Sequence, residues 1–457
     1  MRSTPTKRQD QGSAGKTPGL PARQLAVRLV AGVLVDNKPL DQLLEALLGA
    51  AEFAGLPARD RALARAVAAA TLRRCGELER ILTAILDHPL PAGSGRLQAI
   101  LLTAAAQLLC LDMPPHAVVD LAVEMARRDR SARRYVKLVN AVLRRVCERG
   151  RTLLAAQDPV RANIPDWIWH RWCLIYGGEA ARRIAEASLR EAPLDIRAKA
   201  DDAGELRDWA ERLGGRLLPT GCIRLAAHGR IEDMPGYADG AWWVQDAAAQ
   251  LVARLAGDLA GRRVVDLCAA PGGKAAALAA AGARVTAVDV APRRLDRLRR
   301  NLARLRLTAD IVEADAATWS PGTAFDAVIL DAPCTATGTI RRHPDILRRR
   351  RPQDIPRNTD LQRAMLRNAT GLVRPGGVLV YSVCSLEPEE GCHQAEAVLA
   401  AAPDFQRVPI IAAAIGALPE WITPRGELRT LPFHLDLQPC ELSGMDGFYA
   451  VVLRRTS

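Results

Sequence analysis

The hydrophobic residues in the first part of the chain repeat with the period of an α-helix. Leu25, Leu29, Val30 and Val33 mark one apolar stripe, and similar stripes follow. Helices are predicted over about 78–87, 97–110, 117–128 and 135–148, with proline breaks at Pro57, at Pro89–Pro91 and at Pro114–Pro115. The pattern predicts an all-helical domain over residues 21–150, in which no catalytic motif is visible.

From residue 241 onward the pattern changes to short apolar runs that alternate with helical stretches. Strands are predicted at Arg263–Cys268, Arg284–Asp289, Asp310–Glu313, Asp326–Asp331 and Gly377–Val383. Such alternation is typical of a mostly parallel, doubly wound α/β sheet of the Rossmann-like kind, here over residues 241–457. A last apolar run, Gly447–Leu453, is expected to be antiparallel. Residues 151–240 mix both patterns, which indicates a small α/β linker subdomain.

Composition changes this picture in one respect, which is the charge. The chain has 457 residues and a formal net charge of +12, as expected of a protein that meets a polyanion, although an arginine-rich proteome would have the same effect. Residues 1–20 are polar and basic, and they predict a disordered tail rather than a signal peptide. No apolar stretch is long enough to span a bilayer. We therefore expect a cytoplasmic protein without a membrane partner.

The ten cysteines are too dispersed for a disulfide framework, and none has zinc-site spacing, so we expect reduced thiols and no metal. Six are expected to be small buried residues: Cys75, Cys110, Cys147, Cys173, Cys222 and Cys440. Cys334 and Cys384 differ, because each follows a predicted strand of the α/β part. Parallel strands bind ligands at their carboxyl ends, so these two thiols are expected to flank one pocket.

Three further strand ends carry residues that suit an adenosyl cofactor. The first strand runs into a turn of small residues before a helix, and free N–H groups there can meet a polar ligand; the turn comprises Cys268, Ala269, Ala270, Pro271, Gly272, Gly273 and Lys274. Asp289 ends the second strand, where an acid can hold ribose hydroxyls. Asp315 follows the third strand, where it is expected to contact the edge of the adenine.

The turn matches neither the dinucleotide fingerprint nor a P-loop, because Ala275 follows Lys274. An adenosyl ligand with an amino-acid arm, S-adenosylmethionine, fits better. The alternative is that the glycines only make a tight turn and that the acids only cap helices.

Two thiols beside a methyl donor suggest methylation at carbon 5 of cytosine. That carbon is a poor nucleophile until a thiolate adds to carbon 6, and a second group must then serve the loss of the carbon-5 proton. Asp331, three residues before Cys334, is expected to bond the cytosine amine and ring nitrogen, while Lys274 steadies charge there. Position alone leaves open which thiol attacks.

Residues 241–454 resemble the RNA cytosine-5 methyltransferases of the Sun/Fmu/RsmB kind. The match rests on four stretches: Val244–Ala247, Asp266–Lys274, Asp331–Cys334 with Gly338 and Arg341–Asp345, and Cys384–Ser385 with Pro388–Glu390. The resemblance implies a class I methyltransferase fold, S-adenosylmethionine as cofactor, Cys384 as nucleophile and Cys334 as the group that assists elimination. The chain departs from the family pattern at Val383, where Thr is usual, and at Lys199, where Asn is usual.

The helical part resembles NusB, an RNA-binding fold, at Pro115–Asp120 and Val139–Arg145. A NusB-like domain joined to such a methyltransferase domain implies a cytosine of small-subunit (16S) ribosomal RNA as target, in naked or partly assembled form, and a monomer is expected. The same reaction on tRNA and a non-catalytic RNA-binding assembly factor are the alternatives. Arginines beyond Cys334 are expected to contact phosphates: Arg341, Arg342, Arg348, Arg349, Arg350 and Arg351.

Overall fold

The structure, a computed structural model, describes residues 18–91, 93–200, 202–226 and 229–456. The disordered tail predicted over residues 1–20 thus lies mostly outside the described residues, and Leu20 already begins the first helix. The chain divides into two compact units. Of the described residues, the first unit comprises those up to Pro165 with Leu347–Arg349, and the second comprises those from Asp166 to Ile346 and from Arg350 onward. The finer division at residues 150 and 240 stays a prediction.

The first unit is built from helices, as its hydrophobic period predicts. Their bounds are α1 Leu20–Leu34, α2 Leu40–Gly49, α3 Ala58–Arg73, α4 Cys75–Ile85, α5 Leu97–Leu109, α6 Pro115–Arg128, α7 Val136–Ala155 and α8 Pro159–Asn163. Helix α5 is buried at every residue except Gln98, so the surrounding helices pack on it from all sides. Helices α3 and α6 begin directly after Pro57 and Pro114. The all-helical prediction is confirmed.

The second unit opens with two helices and a small antiparallel sheet. Its first elements are α9 Asp166–Tyr176, α10 Gly178–Ser188, β1 Leu194–Ala198, α11 Ala203–Arg212, β2 Arg216–Leu217, β3 Ile223–Leu225 and β4 Trp242–Val244, with the strands in the order β2-β3-β1-β4. Asp195 of β1 lies opposite Arg224 of β3. Their side chains form two hydrogen bonds of 2.7 Å and are both fully buried. This ion pair sits inside the small sheet.

A larger sheet occupies the rest of the second unit. From residue 247 the elements are α12 Ala247–Arg254, β5 Arg263–Leu267, α13 Gly273–Ala280, β6 Arg284–Asp289, α14 Pro292–Leu305, β7 Asp310–Glu313, β8 Phe325–Asp331, α15 Ile346–Arg349, α16 Asp354–Leu372, β9 Val373–Val383, α17 Cys392–Ala401, β10 Phe405–Val408, α18 Ala412–Ile415, β11 Leu428–Arg429 and β12 Tyr449–Arg455. The strand order is β10-β12-β9-β8-β5-β6-β7, and β11 pairs with β12. Of these elements, α15 belongs to the first unit except for Ile346.

Strands β5 to β9 are parallel to their neighbours, whereas β12 runs antiparallel to β9. The Rossmann-like prediction is therefore confirmed, including the final antiparallel strand. That strand begins at Tyr449 rather than Gly447, because the Gly447 N–H bonds the Gly338 carbonyl outside the sheet, at 2.8 Å. The chain leaves β5 for β6 and β7 on one side and returns to β8 and β9 on the other. The carboxyl ends of β5 and β8 thus form a switch point, where such sheets bind ligands.

Among the described residues, no helix combines the length and the apolar character needed to cross a membrane.

Candidate active site

The two thiols predicted at strand ends are in contact. Strands β8 and β9 are parallel neighbours, with Asp331 opposite Ser382, so the loops that follow them emerge side by side. The Sγ atoms of Cys334 and Cys384 are 3.5 Å apart. Cys334 is buried, with 8% of its surface exposed, whereas Cys384 is half-buried. Cys384 is therefore the more accessible of the two thiols.

The pKa of the Cys334 thiol is held well above its usual range. The largest cause is its hydrogen bond with Cys384; burial comes next, and the negative charges of Cys384, Glu390 and Asp331 act in the same direction. Cys334 therefore keeps its proton at neutral pH and can donate it to the Cys384 sulfur.

Lys274 and Asp331 form an ion pair at the same edge of the sheet, with Nζ and Oδ2 2.6 Å apart. Burial by itself would lower the pKa of Lys274, but Asp331 and Asp266 outweigh it, so the pKa lies above its usual value and the side chain is cationic. The second Asp331 oxygen accepts a hydrogen bond from the Ser382 hydroxyl at 3.0 Å. Ser382 thus supplies a hydroxyl contact beside Val383, where the family pattern has Thr.

The turn from Cys268 to Lys274 joins β5 to α13, as predicted. Gly272 is the N-cap of α13 and has a φ of 106°, in the left-handed region. A Cβ added there would also come within 3.2 Å of the Leu298 side chain. Glycine therefore lets the backbone turn tightly, and the first N–H groups of α13 face the switch point.

The two acids assigned to the cofactor make local contacts in this structure. Asp289 is buried, accepts hydrogen bonds from the Ala270 and Ala291 N–H groups at 3.2 and 3.1 Å, and lies 3.4 Å from Arg294. Asp315 is exposed and accepts from the Ala317 N–H at 2.9 Å. These are contacts of the capping kind, and the binding of a ligand by either acid stays a prediction.

Asp266 is a site residue that the sequence interpretation did not assign. Its side chain is fully buried in β5, next to the cofactor turn. Within the described part of the chain, neither carboxyl oxygen accepts a well-formed hydrogen bond, although the Ala275 N–H lies near. Burial raises the pKa of Asp266 to about 7, with Lys274 opposing and Asp331 adding to the shift. An acid in an otherwise apolar strand is the sequence signal that identifies such a position.

Glu390 is a second residue whose role the sequence pattern does not indicate. It lies in one of the stretches that carry the family resemblance, but periodicity does not indicate which loop residue turns inward. The carboxylate is buried and receives hydrogen bonds from the residues that directly follow both thiols, Thr335 and Ser385.

The predicted phosphate contacts of Arg341 and Arg342 are wrong. Arg341 is only 2% exposed, and Arg342 lies 2.6 Å from Asp246 and 3.2 Å from Asp446. Their charges are needed to neutralise buried carboxylates. Arg350 instead donates to the carbonyls of Cys334 and Thr335, at 3.1 and 2.9 Å, and so holds the loop of the first thiol.

All ten cysteines carry free thiols. Burial is correctly predicted for Cys75 and Cys222, but Cys147 and Cys440 are exposed. Cys147 lies on the solvent side of α7, and Cys440 begins a short 3-10 turn in a loop. Across the residues that the structure describes, no cluster of three or more His, Cys, Asp or Glu side chains is arranged to hold a metal ion.

Comparisons with known proteins agree on both halves of the chain. Residues 257–454 match the family described as 16S rRNA methyltransferase RsmB/F, and residues 20–148 match the NusB family. The ribosomal RNA small subunit methyltransferase B of Xylella fastidiosa (strain Temecula1) is 38% identical over 398 residues, 84% of this chain and 90% of the relative. The protein of the same name from Vibrio cholerae is 35% identical over 87% of this chain and 90% of its own length.

A solved structure gives the same result for the fold. The crystal structure of PH0851 covers 96% of this chain and 100% of its own, with a TM-score of 0.74 and 22% identity.

Proposed function

Because the chain belongs to the RsmB/F family of 16S rRNA methyltransferases, we propose that it transfers a methyl group from S-adenosylmethionine to carbon 5 of a cytosine in small-subunit ribosomal RNA. The observation that carries the proposal is the contact between Cys334 and Cys384 at the ends of two parallel strands, beside the Lys274–Asp331 ion pair. One thiol to add to the base and a second group to serve elimination are what this chemistry requires.

The residues around the turn fit the cofactor, S-adenosylmethionine, which supplies the methyl group on a positively charged sulfur. The buried Asp266 carboxylate lacks a well-formed hydrogen bond from the residues that the structure describes, so it can accept one from the ammonium group of the amino-acid arm. The N-terminus of α13 and the turn 268–274 would lie against the same arm. Asp289 and Asp315 are assigned to the ribose and the adenine.

The geometry favours Cys384 as the nucleophile. It is the more accessible thiol, and the protonated Cys334 can stabilise its thiolate by donating a hydrogen bond. The Cys384 thiolate would add to carbon 6, and the electron pair of the ring's double bond would move to carbon 5, which would take the methyl group while the pair of the broken methyl–sulfur bond stays on the donor sulfur. The adduct holds the base in place for the second half of the reaction.

Cys334 is the group placed to serve the elimination. Once the Cys384 sulfur is bonded to carbon 6, it carries no charge and is a much weaker hydrogen-bond acceptor, so one of the causes that raise the Cys334 pKa is weakened, while burial, Glu390 and Asp331 still act. Cys334 can then release its proton to water and take the carbon-5 proton as a thiolate. The electron pair of that C–H bond restores the ring double bond, and Cys384 leaves with the pair of its C–S bond.

Asp331 and Lys274 are assigned to the base. The Asp331 carboxylate lies three residues before Cys334 and is held by Lys274 and by Ser382, so its orientation is fixed before a ligand arrives. A carboxylate there can accept a hydrogen bond from the exocyclic amine of cytosine. The Lys274 ammonium would stabilise negative charge that develops on the ring after the thiolate adds.

The first unit offers a surface for the RNA backbone. Four cations, Arg130, Arg133, Arg134 and Lys137, lie exposed around the start of α7. None forms an ion pair with a carboxylate among the described residues, and the first turn of α7 has no acid. Positive side chains at the positive end of a helix dipole disfavour the helix, so a polyanionic partner would relieve the repulsion. We name these four residues the α7 basic face.

The test is methylation of unmodified RNA. The purified protein is incubated with S-adenosylmethionine and total RNA from cells that lack this modification, and 5-methylcytosine is mapped by bisulfite sequencing, with Cys384→Ala as the control. We expect one new mark in small-subunit rRNA that is absent with the variant.

Other outcomes separate the alternatives. A mark in tRNA would keep the chemistry and overturn the target. If neither naked RNA nor isolated small-subunit particles are modified, the methylation proposal fails, and binding of either one without modification would then favour an assembly factor.

A further inference from the structure

The Glu390 side chain is a buried carboxylate between the two cysteine loops. It lies in the turn between β9 and α17, has no solvent exposure, and its own backbone carbonyl accepts the Tyr381 hydroxyl of β9. Burying a carboxylate costs several kcal/mol unless hydrogen bonds compensate it. Its partners therefore indicate what the residue does.

Both thiol loops bond this one carboxylate. Thr335, directly after Cys334, donates its backbone N–H at 2.9 Å and also its hydroxyl. Ser385, directly after Cys384, donates its hydroxyl at 2.5 Å. Hydrogen bonds to an ionised acceptor are stronger and shorter than neutral ones. A single side chain thus links the residues next to both sulfur atoms.

The remaining hydrogen-bond partners of the Glu390 carboxylate lie on the helix α16 and hold it in place. Asn358 donates to it at 3.1 Å and Gln362 at 3.4 Å, and Gln362 also donates to the Pro333 carbonyl at 2.8 Å. The Glu390 carboxylate therefore accepts hydrogen bonds from both thiol loops and from α16.

We infer that Glu390 is a positioning residue that sets the separation of the two thiols, by holding the loops of Cys334 and Cys384 on one buried carboxylate. It touches neither sulfur in this arrangement and acts through Thr335 and Ser385. The consequence for catalysis rests on the proposed function, but the geometric claim does not.

Glu390→Gln tests the inference with almost no change in volume. The amide nitrogen cannot accept a hydrogen bond. In place of Oε2 it would lose the hydroxyls of both loops as donors, and in place of Oε1 it would face the Thr335 N–H, so the link between the loops is weakened in either orientation. Glu389→Gln is the matched control: Glu389 is the adjacent residue, is partly exposed, and bonds Arg171 rather than a thiol loop.

The first measurement determines whether the substitution changes kcat, KM or both. A displacement of about 1 Å at reacting groups can cost ~100-fold in rate, so Glu390→Gln is expected to lower kcat by about 10- to 100-fold. The KM values for cofactor and RNA should stay within about twofold, because those binding groups are untouched. Glu389→Gln should keep the wild-type kcat.

The second readout needs no activity. Oxidised glutathione converts two neighbouring protein thiols into a disulfide while it is reduced to two glutathione thiols. The rate of the Cys334–Cys384 disulfide, followed by peptide mapping after alkylation of the free thiols, reports their proximity. We expect closure at least about tenfold slower in Glu390→Gln than in Glu389→Gln. Equal closure rates in the two variants would overturn the inference.

The two proposals fail separately. Wild-type methylation with unchanged kcat and closure in Glu390→Gln would overturn only the inference. Slow closure in Glu390→Gln, together with a wild-type protein that methylates no RNA, would support the positioning role and overturn the proposed function. If Glu390→Gln does not fold, Ser385→Ala removes the side-chain hydrogen bond of the Cys384 loop, and Thr335→Val removes the hydroxyl bond of the Cys334 loop while its backbone N–H bond stays. Each should slow closure if the inference holds.

Discussion

Replacing Asp266 by Asn should stabilise the cofactor-free protein above neutral pH and weaken cofactor binding. The wild-type carboxyl is fully buried, and burial raises its pKa from the ordinary value of 3.8 to about 7. Between these two pH values the folded state binds a proton that the unfolded state has released. Stability therefore falls as pH rises through this window.

The magnitude follows from the two pKa values. The gap of about three pH units corresponds to ~4 kcal/mol over the whole window, since one unit is worth ~1.4 kcal/mol. Between pH 5 and pH 8, only the two pH units below the folded-state pKa of about 7 contribute. Over this range the wild-type free energy of unfolding should therefore fall by roughly 2–3 kcal/mol. The amide of the Asp266→Asn variant does not titrate. The free energy of unfolding of the variant, relative to that of the wild type, should therefore rise by the same amount over this range, which corresponds to about 5 °C in Tm.

The assay is thermal unfolding of cofactor-free wild type and Asp266→Asn from pH 5 to pH 8. Calorimetric titration with S-adenosylmethionine at pH 8 should show weaker binding by the variant, because the buried negative charge for the ammonium is gone. Asp310→Asn, at an exposed acid of β7, is the control and should follow the wild-type pH dependence. Parallel Tm curves for Asp266→Asn and wild type would refute the reasoning.

Three further changes test other parts of the structure. Arg224→Met leaves the fully buried Asp195 carboxylate without its bidentate partner. Urea unfolding should therefore show that the free energy of unfolding falls by ~3–5 kcal/mol, and a fall below ~1 kcal/mol would contradict this. Cys334→Ala should accumulate a covalent RNA adduct through Cys384, visible as a band shift on a denaturing gel, because elimination lacks its base. Arg133→Ala with Arg134→Ala should reduce the slope of log Kd against log salt by roughly 1.5, since each phosphate contact contributes ~0.7–0.9.

Controls for the last two are available in the same chain. The Cys334→Ala adduct must disappear when Cys384→Ala is added, and an adduct that persists would assign the nucleophile elsewhere. For the α7 basic face, the matched pair is Arg127 and Arg128, which are exposed but bonded to Glu124. Replacing that pair should change the salt slope less than replacing the unpaired arginines, and equal slopes would argue against a specific face.

The fold was predictable because burial imposes a period on the sequence. Strand β6 has the predicted bounds, and β8 and β5 differ by one residue, since apolar runs mark where a parallel strand is covered on both faces. The contact of the thiols was predictable for the same reason: adjacent strand ends must lie together. Strand β9 begins four residues earlier than predicted, at Val373, because Pro375 and two glycines hide its start.

The partners of buried hydrogen bonds and ion pairs leave no comparable period in the sequence. Loop residues have no period, so the sequence does not distinguish an arginine that contacts RNA from one that is paired inside the protein. Arg342 is of the second kind and donates a hydrogen bond to Asp246, 96 residues away. The link from Glu390 to Thr335 spans 55 residues and depends on two loops meeting. Sequence patterns indicate which positions are buried. They do not indicate which buried charged side chain contacts which other one. The positioning of the thiols depends on that second kind of information, and so it had to come from the three-dimensional arrangement.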